Sequence, residues 1–65
     1  METLSEHEAR VRLYSQYFLD MEMIDKLFEQ SRTSPDSMAA IRDYQYLRYL
    51  GADRYEIAYH KDARR

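Results

Sequence analysis

The fold of this chain depends on how one stretch is interpreted, SRTSPDSMAAIRDYQYLRYLG at residues 31–51. Its first six residues are polar or turn-forming and include the one proline of the chain, which is typical of a linker. Ser34 suits an N-cap and Pro35 the first helical position, where its missing N–H is harmless, while Asp36 favours the positive end of the helix dipole. The stretch therefore predicts a helix that begins near Pro35.

An apolar stripe follows this predicted start. Ile41, Tyr44 and Leu47 recur every three residues, which places them on one face of a helix. Gly51 then supplies a residue that commonly ends helices in the left-handed conformation. We therefore expect a helix at about residues 35–50, with a continuous helix through Gly51 as the alternative.

The N-terminal half of the chain predicts a longer helix, at about residues 5–30. Ser5 and Glu8 form the capping-box pattern, in which each side chain accepts a hydrogen bond from the backbone N–H of the other residue. Asp20 could cap a second helix, so a break at that residue stays open as the alternative. Apolar residues recur at spacings of three or four along one face: Leu13, Tyr17, Met21, Ile24 and Phe28.

A short third helix is predicted at about residues 54–62. Asp53 and Glu56 repeat the capping-box pattern shortly after Gly51. The short linker before Pro35 makes the first two helices antiparallel neighbours. The expected core comprises Leu13, Tyr17, Met21, Ile24, Phe28, Ile41, Tyr44, Leu47 and Ile57.

The sequence thus predicts one all-α domain over residues 1–65, an antiparallel helical hairpin with a short third C-terminal helix. One Gly and one Pro supply almost no residues for tight turns, which argues against β-hairpins. A domain of 65 residues buries only about 60% of the surface of its unfolded chain, so its stability is marginal. Because the chain has no cysteine for disulfides or thiolate metal sites, we expect self-association to supplement the core.

The predicted helices carry more apolar surface than a two- or three-helix unit can bury. Many side chains that point away from the core stripes are Tyr, Met or Arg, which are enriched in the cores of protein interfaces. The sequence therefore predicts a small interaction or regulatory protein that binds a second copy of itself, a larger protein, or both. The predicted contact surface comprises Phe18, Leu19, Met23, Tyr46, Tyr49 and Leu50, with Arg48 as a charge at its rim.

Nucleic-acid binding is the alternative function, because the two halves of the chain differ in charge. Residues 1–40 carry four basic and eight acidic side chains, whereas residues 41–65 carry six basic and four acidic ones. Residues 50–58 resemble the first-helix part of a helix-turn-helix, although no turn and recognition helix follow them. Candidate phosphate contacts are Arg54, Lys61, Arg64 and Arg65.

Two further similarities each cover about half of the chain. Residues 19–22, 34–36 and 41–44 (LDME, SPD and IRDY) look like the helical hairpin of Sin-type anti-repressors, which pair with a repressor through such hairpins. Residues 24–27 and 52–54 (IDKL and ADR) are similar to Hha-type modulators of nucleoid proteins. Both resemblances imply a small regulator that acts through protein contact, and neither assigns a functional residue.

No catalytic, metal or cofactor site is predicted. A single glycine cannot build a phosphate loop, and no serine lies in a strained glycine-rich turn. Glu56 and His60 stand four residues apart on the predicted third helix, a spacing that an ordinary helix-stabilising contact explains. The apolar runs are too short to span a membrane, and the acidic N-terminus differs from the basic start of a secretory signal. We therefore expect a cytoplasmic protein that is not an enzyme, with no cofactor and no membrane contact.

Overall fold

The computed structural model describes residues 3–59, which form two helices packed on one face of a four-stranded antiparallel sheet. The elements, in chain order, are β1 (Leu4–Ser5), α1 (Glu6–Tyr17), α2 (Met21–Thr33), β2 (Met38–Arg42), β3 (Gln45–Gly51) and β4 (Arg54–Tyr59). The strands lie in the order β1-β4-β3-β2. The fold is therefore α+β, and the prediction of an all-α helical hairpin with a third helix is wrong.

The helical half of the chain follows its sequence signals. The capping box is present at the start of α1, where the Ser5 N–H donates to the Glu8 carboxylate at 2.9 Å and the Glu8 N–H donates to the Ser5 hydroxyl at 3.1 Å. Asp20 caps α2 by accepting from the backbone N–H of Met23 at 2.9 Å. A single helix at about residues 5–30 is therefore wrong, and the alternative break at Asp20 is confirmed.

The predicted helix at about residues 35–50 is replaced by β2 and β3. Ser34 closes the end of α2 rather than starting a new helix, because its N–H donates to the Gln30 carbonyl at 2.9 Å. Its hydroxyl accepts from the Met38 N–H at 3.0 Å and fixes the turn into β2. The second half of a helical hairpin, which the similarity to Sin-type anti-repressors implies, is therefore absent from residues 3–59.

β3 alternates between the two faces of the sheet. Leu47 is fully buried against the helices, whereas Tyr46 and Arg48 lie on the opposite face. Ile41 and Leu47 both contact the core, but from different strands, and Tyr44 lies in the turn between those strands. The helical spacing of these three residues therefore does not reflect a helix.

Two tight turns connect β2 to β3 and β3 to β4, and each places a residue with no preference for positive φ in the left-handed region. Tyr44 is left-handed in the first turn (φ 65°), and Ala52 (φ 51°) and Asp53 (φ 60°) are left-handed in the second. Two successive residues with positive φ are what a type I′ hairpin turn requires, and Asn and Gly normally supply them. The rejection of β-hairpins for want of glycine is wrong because Tyr44 and Ala52 adopt the strained left-handed conformation and Asp53 tolerates it.

β4 takes the place of the predicted third helix, and residues 60–62 of that helix lie outside the described residues. Gly51 (φ 90°) ends β3 rather than a helix, and Asp53 lies in the turn that follows instead of capping a helix.

The sheet has two short edges. β1 pairs only with Arg54 and Tyr55 of β4, and β2 is interrupted by a bulge, a shift in strand register between residues 40 and 42.

Replacing Ala52 by Asn and Asp53 by Gly should stabilise the turn between β3 and β4. Asn and Gly adopt positive φ with less strain, and both replaced side chains are exposed. We expect the free energy of unfolding to rise by about 1 kcal/mol, measured by urea denaturation followed by circular dichroism. The matched control is Asp43→Gly in the other turn, where φ is not positive and the added freedom of glycine should lower stability. An equal effect at both positions would contradict the turn assignment.

The core lies between the helices and the inner face of the sheet. Phe28 of α2 contacts Tyr55 of β4 edge to face, with ring centroids 4.7 Å apart. The Tyr55 hydroxyl accepts a hydrogen bond from the Arg32 guanidinium at 2.8 Å, which satisfies a polar group that would otherwise destabilise the core. The buried residues are Leu4, Ala9, Leu13, Ile24, Leu27, Phe28, Ser31, Ala39, Leu47 and Tyr55.

The core predicted from the sequence is partly correct. Four of its members are fully buried: Leu13, Ile24, Phe28 and Leu47. Three more pack against the core while keeping part of their surface exposed: Tyr17, Ile41 and Ile57. Met21, by contrast, is more than half exposed, because the break at Asp20 changes the helical phase.

The capping box makes the free energy of unfolding depend on pH. Hydrogen bonding to Ser5, chiefly by its backbone N–H, lowers the pKa of Glu8 below its ordinary value of 4.5. A carboxylate with a lowered pKa stabilises the folded state above the unfolded-state value, and this contribution is lost as the pH falls through the lowered pKa. The wild type should therefore be more stable than Glu8→Gln at neutral pH, and the difference should shrink in acid.

Thermal melts of the wild type and Glu8→Gln over a pH series measure this difference. Glutamine can still accept from the Ser5 N–H but cannot ionise, so the comparison isolates the charge. Ser5→Ala keeps the backbone N–H and an ionisable Glu8, so it should retain part of the pH dependence. A stability difference between wild type and Glu8→Gln that stays constant with pH would contradict the prediction.

Candidate functional site

The face of the sheet that points away from the helices is not covered by another element within residues 3–59. Both helices contact the inner face, α1 at β1 and β4, and α2 at β2 and β3. Because side chains alternate along a strand, a second set of residues lies on the opposite face. This outer sheet face comprises Met38, Ala40, Tyr46, Arg48, Leu50, Glu56 and Ala58.

Tyr46 lies in the middle of the outer sheet face. Strand pairing places Ala40 on one side of it and Ala58 on the other. Because both neighbours are small, the tyrosine ring is the largest side chain of its row. A half-buried ring between two alanines offers a broad apolar contact with a hydroxyl at its end.

The next row of the outer sheet face carries a balanced pair of charges. Strand pairing places Arg48 between Met38 and Glu56, and the Arg48 guanidinium lies 3.9 Å from the Glu56 carboxylate. A surface ion pair of this kind adds little to stability, but it leaves neither charge of this row unpaired. Leu50, which is 39% exposed, extends the apolar area along β3.

The structure divides the seven residues predicted for the contact surface among three environments. Three lie together on the outer sheet face: Tyr46, Arg48 and Leu50. Two are exposed on the helical side of the molecule: Phe18 and Met23. The last two are half-buried against the core. They are Leu19 and Tyr49, and the Tyr49 ring lies 5.2 Å from the ring of Tyr55. The seven residues therefore do not form one continuous surface.

A second apolar surface lies on the helical side. This helical patch comprises Val11, Tyr14, Phe18 and Met21, each more than half exposed. Tyr14 lines two adjoining depressions, one beside Phe18 and one of about 500 Å³ beside Val11 and Met21. Val11 and Tyr14 are not among the predicted contact residues, although they are three residues apart on one face of α1, which ends just before Phe18.

Phe18 is the most exposed member of the helical patch. It ends α1 in the left-handed conformation (φ 58°), and its N–H donates to the Leu13 carbonyl. Glycine or asparagine usually occupies such a position, because other side chains are strained there by about 1 kcal/mol. The ring is nevertheless 86% exposed, so burial within the chain does not offset the strain. A strained and exposed phenylalanine points to a role other than folding.

Arginines in the described part of the chain are mostly engaged in contacts within it. Arg54, a predicted phosphate contact, donates to the Thr3 hydroxyl at 2.9 Å and to the Thr3 carbonyl at 3.1 Å. Of the other five arginines in residues 3–59, four contact neighbouring groups: Arg10, Arg32, Arg42 and Arg48. The remaining predicted phosphate contacts lie outside the described residues: Lys61, Arg64 and Arg65. β4 also replaces the helix that the helix-turn-helix similarity implies.

Across residues 3–59, no three His, Asp or Glu side chains are grouped closely enough to hold a metal ion. Glu56 lies opposite Arg48 on the outer sheet face. His60, the other residue of the Glu56–His60 pair, lies outside the described residues. The absence of a metal or cofactor site in the whole chain stays a prediction.

No protein-family model matches the sequence, and no match is found among curated proteins or solved structures. Neither of the two helices in residues 3–59 combines the length and the apolar character that crossing a lipid bilayer requires.

Substitutions on the two faces of β3 should differ in their effect on stability. Leu47→Thr puts a smaller side chain with an unpaired hydroxyl into the core and should cost about 2–4 kcal/mol. Tyr46→Thr combined with Leu50→Thr should cost about 1 kcal/mol, because both residues are partly exposed and threonine favours strands. Urea denaturation measures both. Equal losses would contradict the placement of Tyr46 and Leu50 on the outer sheet face.

Proposed function

We propose that this protein is a small interaction module that binds another protein through the outer sheet face. The observation that carries the proposal is a central tyrosine between small side chains, next to a neutral Arg–Glu pair, on a face that neither helix covers. Apolar surface with polar groups around it is typical of protein contact sites. The proposal includes a cytoplasmic location, with which the cysteine-free sequence is compatible.

Tyr46 is the proposed anchor of the contact. Tyrosine is among the residues that most often dominate binding energy, because it combines a large rigid contact with a polar end. Ala40 and Ala58 leave room on both sides of the ring for side chains of a partner. Leu50 extends the apolar contact, so that the centre of the interface excludes water.

Arg48 and Glu56 are proposed to orient the partner rather than to supply most of the affinity. Charges at the rim of an interface chiefly fix register and exclude wrong partners. The two groups are 3.9 Å apart at their closest, a distance at which each can bind a group of opposite charge on the partner. The preferred partner surface is therefore apolar at its centre, with a carboxylate and a cation side by side.

Charge favours a protein over a nucleic acid as the partner at this face. Nucleic-acid binding depends on cations that neutralise phosphates. Arg48 on the outer sheet face lies opposite Glu56, and Arg54, on the same side of β4 as Glu56, donates to Thr3. With these two arginines engaged within the chain, the face supports a protein contact better than a phosphate contact.

Site-specific photocrosslinking tests the proposal in cells that naturally make the chain. A benzophenone amino acid in place of Tyr46 should yield a discrete protein adduct. Adding Leu50→Thr should reduce that adduct strongly, because it removes apolar contact without disturbing the core. Excess unlabelled wild type should compete with the adduct, whereas excess Tyr46→Thr should compete poorly.

The matched control places the same photoreactive group at Tyr59. This tyrosine is also well exposed, but it does not belong to the outer sheet face. An identical adduct pattern at both positions would contradict the proposal, as would adducts with nucleic acid in place of protein. The absence of any competable adduct at position 46 would contradict it as well.

A further inference from the structure

We propose that the helical patch binds the helical patch of a second copy of this chain, so that the protein forms a two-fold symmetric dimer through α1. This contact lies on the helical side of the molecule and does not use the outer sheet face. It is therefore independent of the protein-binding function proposed above. The shape of the patch, the spacing of its residues and its area all favour a second copy as the partner.

The helical patch contains both a protrusion and a depression. Phe18 projects from the end of α1 with most of its ring exposed. The depression of about 500 Å³ is lined by Val11, Tyr14 and Met21, together with His7, Arg10 and Ser15. A surface that carries both shapes can bind a copy of itself, because a two-fold axis places each protrusion in the depression of the other copy.

The spacing along α1 locates that axis. Phe18 and Val11 are seven residues apart, so their Cα atoms lie about 10 Å apart along α1 and on nearly the same side of it. The left-handed backbone of Phe18 turns its ring outward from the end of the helix. The midpoint between Val11 and Phe18 falls between Tyr14 and Ser15. Rotation by a half turn about an axis through this midpoint makes the two α1 helices antiparallel. It also places Phe18 of one copy over Val11 of the other.

The same rotation brings like residues together at the centre of the dimer. A half turn about an axis in the plane of the contact keeps each flank of α1 on its own side, so Tyr14 lies beside Tyr14 of the other copy and Ser15 beside Ser15. The Ser15 hydroxyl already donates to the Val11 carbonyl at 2.8 Å, so covering it leaves no unsatisfied donor. Arg10 is also satisfied, because its guanidinium contacts Glu6 at 3.0 Å and Asp25 at 2.7 Å. Phe18 of the second copy therefore meets a guanidinium that is already paired.

The area of the helical patch is large enough for a dimer but not for a very stable one. Tyr14 and Phe18 are aromatic side chains of the kind that bury roughly 150–250 Å² each. Together with the smaller exposed areas of Val11 and Met21, the patch presents about 500 Å². Two copies would together bury about 1,000 Å² of apolar surface before any polar rim is counted. This is near the lower limit for a specific interface, so we expect a dimer that dissociates on dilution.

Sedimentation of the full chain over a wide range of concentration tests the dimer. We expect the wild type to shift from monomer to dimer as the concentration rises. Phe18→Asn should raise the dissociation constant by about 30-fold, as the loss of a central aromatic anchor does. Asparagine tolerates the left-handed conformation at this position, so the variant should keep the circular dichroism spectrum of the wild type.

Two control variants separate the helical patch from other exposed apolar residues. Tyr59→Thr removes an exposed aromatic residue at the end of β4 and should leave the dissociation constant unchanged. Tyr46→Thr with Leu50→Thr should also leave it unchanged. If instead the outer-sheet-face variant dissociates the dimer and Phe18→Asn does not, this inference is overturned.

Disulfide trapping tests the position of the axis. The chain has no cysteine, so Ser15→Cys introduces one thiol per copy, close to the proposed axis. Mild oxidation should link two copies of this variant, and adding Phe18→Asn should suppress the link. Glu29→Cys, an exposed position on α2, serves as the control and should link poorly. Equal linking of the two thiols would place the contact elsewhere.

The outcomes distinguish this inference from the proposed function. A wild type that stays monomeric at every concentration would overturn the dimer. The proposed function would then still be tested separately by the crosslinking at Tyr46. Loss of the Tyr46 adduct in cells, with dimerisation intact, would remove the proposed function alone. Capture of a different protein by the helical patch of a monomeric chain would also overturn the dimer.

Discussion

The burial of Tyr55 is the interaction on which the rest of the structure depends. Its ring meets Phe28 of α2 edge to face and lies 5.2 Å from the ring of Tyr49 on β3. Its hydroxyl accepts from Arg32, and its backbone pairs with Leu4 of β1. One residue thus connects a helix and three strands of the sheet. Because β4 lies between β1 and β3, losing the Tyr55 side chain would remove contacts to α2 and β3 from the same point of the core.

The helices could be predicted from the sequence because their signals are local. Ser5 and Glu8 satisfy each other within one turn, and Asp20 satisfies the first turn of α2. The sheet could not be predicted in the same way, because Tyr44 and Ala52 carry no local preference for the left-handed conformation that their turns require. Pairing of β2, β3 and β4 over the core must supply the energy that offsets this strain, and such pairing is not visible in a short window of sequence.

Tyr46 and Leu50 were predicted as contact residues from their spacing on a helix, but they share a face because they lie on a strand. Tyr46 and Leu50 are four residues apart, and a separation of four places two residues on the same side of either a helix or a strand. Tyr49 shows the difference between the two periodicities: on a helix it would flank Tyr46, whereas on β3 it faces the core beside Tyr55. Arg48 is two residues from Tyr46. That spacing places two side chains on the same face of a strand but not of a helix.

The bulge in β2 affects how copies of this protein can meet. β2 is an outermost strand of the sheet, and its free edge has backbone groups that could hydrogen-bond to a strand of another molecule. The register shift between residues 40 and 42 breaks the regular spacing of those groups and increases the local twist. An incoming straight strand would find only a few aligned donors and acceptors. The bulge therefore disfavours edge-to-edge strand pairing between copies, the kind of contact that leads to fibrils, and leaves the faces of the molecule free for specific contacts.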